Sequence, residues 1–423
     1  MQEKKDCYVP KGCKSAKPSS DLIGEGMRSE YQWLDKVKEL LEKDKLDKED
    51  YISWTAHFAS LQAQAPRSQA ITVLLPLFDE NAHTMTMIQH SMKIVKEAVA
   101  YVNPNQTPVI AMDQPLFAIA KQIQWEKADL YGEEKDVVMM GGLHVEMASL
   151  KMVGHWLDKS GWDSALVQAD ITTRGRADGI PKASHITRSR YAHQVSACAL
   201  YILQRKACKE YAECRDSSDI DFKTWVQQKS DHHPHFQFWA TVLELELTIL
   251  EFVRSIREGN FHLYVEILGK LTPWMFVLDL SNYSRWLPVH IRDLMMLKVK
   301  HPSVFAEFVR GKFVVQKTQH FFSLIALDHN HEQENEIIKG DGGAVGLTEN
   351  PTALGRWMVA GPEIARVVRE FESTFEVTKP CDKRHHEQMP SVQKAFSKDV
   401  QALISVLEET GNPCMEDSTE MIV

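Results

Sequence analysis

The segment TPVIAMDQP, residues 107–115, decides the fold that the sequence predicts. Its apolar run is too short for a helix and contains β-branched side chains, which is typical of a buried strand. The run ends at Asp113, and Pro115 follows where a proline favours the first turn of a helix. The segment VVMMGGLH, residues 137–144, repeats this order of an apolar run, a turn and a helix start. Two strands alternating with two helices predict a parallel α/β unit.

Acidic residues near this unit are the first candidates for a functional site. Parallel sheets bind ligands beyond the carboxyl ends of their strands, which is where Asp113 and residues 141–144 are expected. Glu332 and Glu336 are four residues apart, so they share one face of a predicted helix. We take Asp113 and Glu332 as candidate catalytic residues and as Mg²⁺ ligands, because oxygen ligands suit Mg²⁺ and paired metals promote phosphodiester cleavage. Helix capping and solvated helix faces are the alternative explanation.

His144 is a further residue of interest, because it opens a helix directly after the second strand. A metal ligand or a catalytic base would fit that position. A packed and hydrogen-bonded histidine is the interpretation that we favour.

Around the α/β unit, the pattern of apolar and polar residues divides the chain into six parts. They are a disordered leader (1–25), an N-terminal helical region (26–65), the first part of the α/β core (66–160), a helical insertion (161–312), a second part of the core with C-terminal helices (313–378), and a flexible tail with one helix (379–423). A strand is also expected at residues 71–78. Strand-like sequence at residues 313–316 and 322–327 is expected to complete the sheet.

Composition limits the class of protein. The chain has 423 residues, of which 43% are hydrophobic and 25% charged, as in globular proteins with a sizeable core. No apolar stretch approaches the roughly 18 residues of a membrane-spanning helix. The seven cysteines contain no C-x-x-C pair, which favours a reducing intracellular compartment, either nucleus or cytoplasm.

The formal net charge of −9 argues against a protein whose whole surface binds nucleic acid. One local stretch is nevertheless basic, and we take its cations as candidate phosphate contacts: Arg174, Arg176, Lys182, Arg188 and Arg190. A solvated loop is the alternative explanation for this stretch.

Four sequence blocks together resemble a known family. They are DQPLFAIAKQIQW (113–125), GGLHVEM (141–147), DLSNYSRWLP (279–288) and HEQENEIIKGDGGAVGLTENP (331–351). The family is an uncharacterised multicopy protein family of animal genomes whose members behave like coding remnants of DNA transposons. The resemblance covers roughly residues 70–375.

The resemblance implies an origin in a DDE-type transposase with an RNase H-like core. Asp113 would match the second catalytic aspartate, Glu332 the terminal glutamate, and residues 161–312 the helical insertion. No residue before Asp113 matches the first aspartate well, so the core is expected to be truncated. Asp279 is an alternative catalytic acid, although capping of the following helix is the role that we favour for it.

We therefore expect an α/β fold with a large all-α insertion, a truncated RNase H-like core, and a predominantly helical chain overall. The leading functional hypothesis is a transposon-derived protein with a degenerate, non-catalytic core. One alternative is a Mg²⁺-dependent DDE-type strand-transfer nuclease acting on DNA. The other is a module that binds protein or nucleic acid. No membrane partner is expected.

Overall fold

In the computed structural model, the protein is described at residues 20–43, 45–62, 68–70, 72, 75, 81, 83–215, 220–339, 352, 355–356, 360 and 385–414. Its elements follow one another along the chain as α1 (Ser20–Leu41), α2 (Trp54–Ser60), α3 (Met85–Val102), β1 (Val109–Met112), α4 (Gln114–Glu126), α5 (Ala128–Tyr131), β2 (Val137–Met140), α6 (Gly142–Trp156), α7 (Trp162–Gln168), α8 (Arg174–Ala177), α9 (Ile186–Cys214), α10 (Phe222–His232), α11 (Pro234–Glu258), α12 (Phe261–Val277), α13 (Ser281–Lys300), α14 (Pro302–Val309), β3 (Val314–Gln316), β4 (Leu324–Ala326), α15 (Leu327–Lys339) and α16 (Pro390–Gly411).

The predicted parallel pair is present. Strands β1 and β2 pair in parallel, with Val109 opposite Val137 and Met112 opposite Met140. Every residue of β2 is buried, whereas burial alternates along β1. Helices α4 and α13 both pack against β2, which explains why its sequence is an unbroken apolar run. The chain is predominantly helical, and the prediction of a helical fold with a small sheet is confirmed.

The second half of the predicted core differs from the expectation. Strands β3 and β4 form their own antiparallel pair, with Val315 opposite Ile325, and do not extend the β1–β2 sheet. The backbone oxygen of Gln316 in β3 accepts a hydrogen bond from the N–H of Ala70 at 2.8 Å, so β3 also bonds to a segment outside both sheets. The two small sheets are neighbours, since side chains of both line one narrow space around Ala111 and Ala326. Most of the strand predicted at residues 71–78 lies outside the described residues.

Helix α11 forms the centre of the helical part. It packs against α9, α12, α6 and α1, and its residues 245–256 are all buried. The predicted insertion, residues 161–312, is helical as expected. Its helices nevertheless share one hydrophobic core with α1 and with the β1–β2 unit. Helices α12 and α13 also continue through Pro273 and Pro288.

The C-terminal helix packs on this body. Helix α16 contacts α9 and α7 and buries Phe396, Val400 and Leu403. The side-chain oxygen of Gln393 accepts hydrogen bonds from the backbone N–H groups of Ile52 at 2.6 Å and Ser53 at 2.9 Å. This part of the predicted flexible tail is therefore tied to the N-terminal region. In the described ranges, we find no helix with the length and apolarity required to cross a bilayer.

Candidate functional site

One buried carboxylate holds the start of α6. Asp328 lies in the first turn of α15, two residues after the end of β4, and its Oδ1 accepts a hydrogen bond from the N–H of Leu143 at 3.0 Å. Its Oδ2 accepts from the N–H of His144 at 3.0 Å and lies 2.9 Å from Nδ1 of the same residue. The first N–H groups of a helix have no partner within the helix, and a carboxylate there also meets the positive end of the helix dipole. Asp328 thus caps a helix that lies 184 residues earlier in the chain.

Two glycines make this approach possible. A Cβ atom built on Gly141 would lie 2.1 Å from Oδ2 of Asp328, well inside van der Waals contact. A Cβ atom on Gly142 would lie 3.0 Å from the Cβ of Ala326. The Gly141-Gly142 pair therefore lets β4 and α15 lie directly against the start of α6.

The pKa values of the two side chains in this contact shift in opposite directions. Burial raises the pKa of Asp328, but the hydrogen bonds from His144 and from the two backbone N–H groups outweigh burial and leave the pKa lowered. The hydrogen bond to Asp328 raises the pKa of His144 against the effect of burial, and the carboxylates of Asp113 and Glu332 add to the increase. The imidazole therefore lies in the field of three acids.

Tyr283 connects the helical insertion to this group. Its hydroxyl donates a hydrogen bond to the backbone oxygen of His144 at 3.1 Å. Burial raises the pKa of Tyr283 to about 12, and the negative charges of Asp113 and Asp328 contribute. We call Asp113, His144, Tyr283, Asp328 and Glu332 the strand-end cluster.

Asp113 lies where the sequence predicted, at the end of β1, and it caps α4. Its Oδ1 accepts from the N–H of Leu116 at 3.2 Å, and its backbone is extended, as is typical of an N-cap residue. Glu332 is exposed on α15, one turn beyond Asp328. The structure thus brings both candidate catalytic acids towards one imidazole. Among the residues that the structure describes, no group of three or more His, Cys, Asp or Glu side chains is arranged to hold a metal ion.

The interpretation of Asp279 as the cap of a helix was wrong. Asp279 is exposed after the end of α12 and has a left-handed backbone with φ of 53°. The N–H of Leu280 donates to the oxygen of Met275 and the N–H of Asp279 to that of Phe276, which is a Schellman motif. Asp279 therefore terminates α12, and its exposed side chain does not end a buried segment as the alternative catalytic role required.

Four of the five cations in the basic stretch are exposed, and the fifth is ion-paired inside the protein. Arg174, Arg176, Lys182 and Arg188 are exposed, as expected for phosphate contacts. Arg190 was predicted with them, but its guanidinium forms a two-point ion pair with the buried Glu146. Because residues 188 and 190 both lie on α9, their side chains point to different sides of the helix, and only Arg188 faces solvent.

A surface groove of about 360 Å³ lies beside these exposed cations. Arg176 and Arg188 line it, together with hydroxyl side chains of Thr173, Thr187 and Tyr191.

Asp328 is the functional residue that our reading of the sequence missed. It follows the apolar run 322–327 in the same way as Asp113 follows its own strand, and this parallel was available in the sequence. The missing information was the partner, because nothing local to residue 328 indicates a helix that begins at residue 142.

The close approach at Gly141 generates the first prediction. Gly141→Ala should lower the free energy of unfolding by about 1–3 kcal/mol, because the new Cβ displaces a buried carboxylate from its hydrogen bonds. Gly269→Ala is the matched control, since Gly269 is exposed inside α12 with nothing within 4 Å of the added Cβ. That variant should gain about 0.5–1 kcal/mol from helix propensity. Urea unfolding measures both, and an unchanged Gly141→Ala variant would contradict the capping account.

The pKa shifts of His144 and Asp328 generate the second prediction. A raised histidine pKa contributes stability fully below the unfolded value of about 6.5, and this stability is lost as pH rises through the folded pKa. A lowered aspartate pKa contributes above about 3.9 and is lost as pH falls through the folded pKa. His144→Gln should therefore destabilise the protein more at about pH 5.5 than at about pH 8.5.

Unfolding curves of His144→Gln and wild type at the two pH values test this difference. His331→Gln, an exposed change on α15, is the control and should show a smaller dependence on pH. A destabilisation by His144→Gln that is equal at both pH values, or larger at the higher one, would show that the contact is not charged.

Comparisons with known proteins give one match. No curated protein and no solved structure matches the chain. Residues 53–220 and 204–423 match the model of a family described as a domain of unknown function, DUF8702. Since the two matches together span residues 53–423, the chain belongs to this family.

Proposed function

We propose that this is a transposon-derived protein whose RNase H-like core is degenerate and serves as a non-catalytic scaffold. The capping contacts of Asp113 and Asp328 carry the proposal. Both acids lie at strand ends, where a transposase would hold metal ions. Here one oxygen of Asp113 and both oxygens of Asp328 accept hydrogen bonds from helix N–H groups.

The order of elements supports a relation to an RNase H-like core. A parallel strand pair is followed by the helices α7–α14, and the chain then returns through β4 to α15. Helix α15 packs on α6 and carries Glu332 towards His144, as does β1 with Asp113. In the order predicted by the resemblance, these are the positions of the second aspartate and the terminal glutamate. Asp79, which the sequence places similarly to Asp113, lies outside the described residues.

A metal-dependent nuclease is the alternative, and it would use the carboxylates of the strand-end cluster as metal ligands. The carboxylates of Asp113, Asp328 and Glu332 offer oxygen ligands of the kind that Mg²⁺ prefers. The ion would supply Lewis-acid stabilisation of a phosphodiester. Oδ2 of Asp328, however, already lies 2.9 Å from Nδ1 of His144, which competes with a cation for the same oxygen.

Variants of Asp113 test the non-catalytic proposal. Asp113→Asn should cost little stability, because Asn caps a helix about as well as Asp, whereas Asp113→Ala should cost about 1 kcal/mol. Millimolar Mg²⁺ should shift the melting temperature of neither variant nor of the wild type. A metal site predicts instead that wild type alone is stabilised by Mg²⁺ and that neutralising Asp113 relieves repulsion in the free protein. Mg²⁺- or Mn²⁺-dependent DNA cleavage that Asp113→Asn abolishes would overturn the proposal.

Nucleic-acid binding at the groove beside α9 is a second candidate function. The observation that favours it is the exposure of four cations, two of them in a groove lined by hydroxyl groups. Arginine and hydroxyl side chains are common partners of phosphate oxygens. The acidic net charge restricts such binding to a local surface.

The salt dependence of DNA binding tests this second function. The double change Arg176→Gln with Arg188→Gln should reduce the slope of log K against log salt by about 2, because each phosphate contact contributes about 0.9. The control is Arg310→Gln with Lys312→Gln, which removes two exposed cations that pair with Glu307. Equal slopes for both double variants would place the binding surface elsewhere.

A further inference from the structure

Another cavity, of about 170 Å³, is lined by all three residues of β4 and shares Ile256 and Ala326 with the narrow space between the sheets. Its polar lining consists of two arginines, two histidines, one acid and one serine: Arg190, Arg257, His329, His385, Glu146 and Ser323. The remaining walls are mostly apolar and buried. We call this cavity the arginine pocket.

Arg257 is the residue that gives the pocket its character. Its Nη1 donates a hydrogen bond to the hydroxyl of the buried Thr55 at 2.8 Å. Its guanidinium carbon lies 5.4 Å from the ring centre of Trp54 and 5.5 Å from that of Phe322. In the part of the chain that the structure describes, no carboxylate forms an ion pair with it. A hydroxyl and two aromatic rings fix the guanidinium in place, but they do not neutralise its charge.

Among the described residues, the carboxylates of Glu146 and Glu387 attract Arg257 without forming an ion pair with it. The charge of Arg190 is matched by Glu146. Burial and Arg190 lower the pKa of His329. Burial and Arg257 lower the pKa of His385 to about 4. Both imidazoles are therefore neutral at pH 7. Burial and Arg190 lower the pKa of Arg257 to about 10, which still leaves it protonated.

His385 adds a hydrogen-bond donor. Its Nδ1 accepts a hydrogen bond from the backbone N–H of Glu387 at 3.2 Å, so a neutral ring carries its proton on Nε2. The pocket therefore combines a neutral imidazole with an arginine whose other N–H groups have no hydrogen-bond partner among the residues that the structure describes. Its apolar walls lower the local dielectric constant, which strengthens the attraction for an anion.

We propose that the arginine pocket binds the dianionic group of a phosphate monoester. A guanidinium offers parallel N–H donors that match two oxygens of one phosphate, and the neutral Nε2–H of His385 provides another kind of donor. The small volume favours a terminal phosphate group over a phosphate inside a nucleic-acid backbone. This site does not depend on the strand-end cluster or on the groove beside α9.

Inorganic phosphate is the probe for this proposal. Calorimetric titration of the full chain, with chloride at matched ionic strength as the reference, should show saturable binding. Arg257→Gln should weaken that binding about tenfold or more, the effect of losing a charge-assisted hydrogen bond. Arg310→Gln, which removes an exposed cation that lines neither cavity, should leave the dissociation constant unchanged. Phosphoserine should compete with inorganic phosphate, whereas dimethyl phosphate, a singly charged diester, should not.

A second variant keeps the test decisive if Arg257→Gln does not fold. His385→Asp keeps a side-chain acceptor for the backbone N–H of Glu387 and places a carboxylate near Arg257. It should abolish the rise in melting temperature that phosphate gives the wild type. Absence of saturable binding to the wild type, or an undiminished phosphate response in His385→Asp, would overturn the proposal. So would equal effects of Arg257→Gln and Arg310→Gln.

Discussion

The hydrogen bonds between Asp328 and the first turn of α6 are the contact on which the rest of the arrangement depends. They join the end of β4 to the start of the helix that follows β2, across 184 positions of sequence. The helices α7–α14 lie between these two points in the chain. A single side chain thus fixes where the polypeptide must return after its long helical part.

This contact has a cost that the surrounding residues reduce. Removing a carboxylate from water is unfavourable, and Asp328 is only 6% exposed. Two backbone N–H groups and one imidazole replace its water partners, and two further acids, Asp113 and Glu332, act on that imidazole. The charged form is therefore the stable one at this site.

Another buried histidine–acid pair shows the opposite balance. His193 on α9 and Glu246 on α11 also lie 2.9 Å apart, and both side chains are almost completely buried. Burial lowers the pKa of His193 to about 4 and raises that of Glu246 far above its usual value. No backbone N–H group is bonded to Glu246 in the described residues, so the neutral forms prevail there. The number of fixed donors, and not proximity alone, decides which pair is charged.

Elements and site residues that depend on a short stretch of sequence were predictable, and those that depend on distant contacts were not. The strand at 109–112 and its parallel partner at 137–140 were predictable, and so was Asp113 as the cap of α4. Apolar runs and turn residues within a short stretch specify all three. The separate pairing of β3 and β4 was not, since strands of three residues give no signal for their partner. Arg190 was wrongly predicted to be an exposed phosphate contact. A sequence shows the charge of a residue, but it does not show which side of α9 lies against Glu146. Asp328 and Arg257 depend on contacts with residues 143–144 and 54–55, so no local pattern marks them.

Amide hydrogen exchange at Leu143 and His144 tests the central claim most directly, since these two N–H groups are the ones that Asp328 holds. Our account predicts that both amides are protected in the wild type, exchange faster in Asp328→Ala, and keep the same wild-type protection when millimolar Mg²⁺ is added. If Mg²⁺ accelerated their exchange in the wild type, the carboxylate would be leaving the helix to bind the ion. Asp328 would then be a metal ligand, and the account of strand-end acids as helix caps would be wrong.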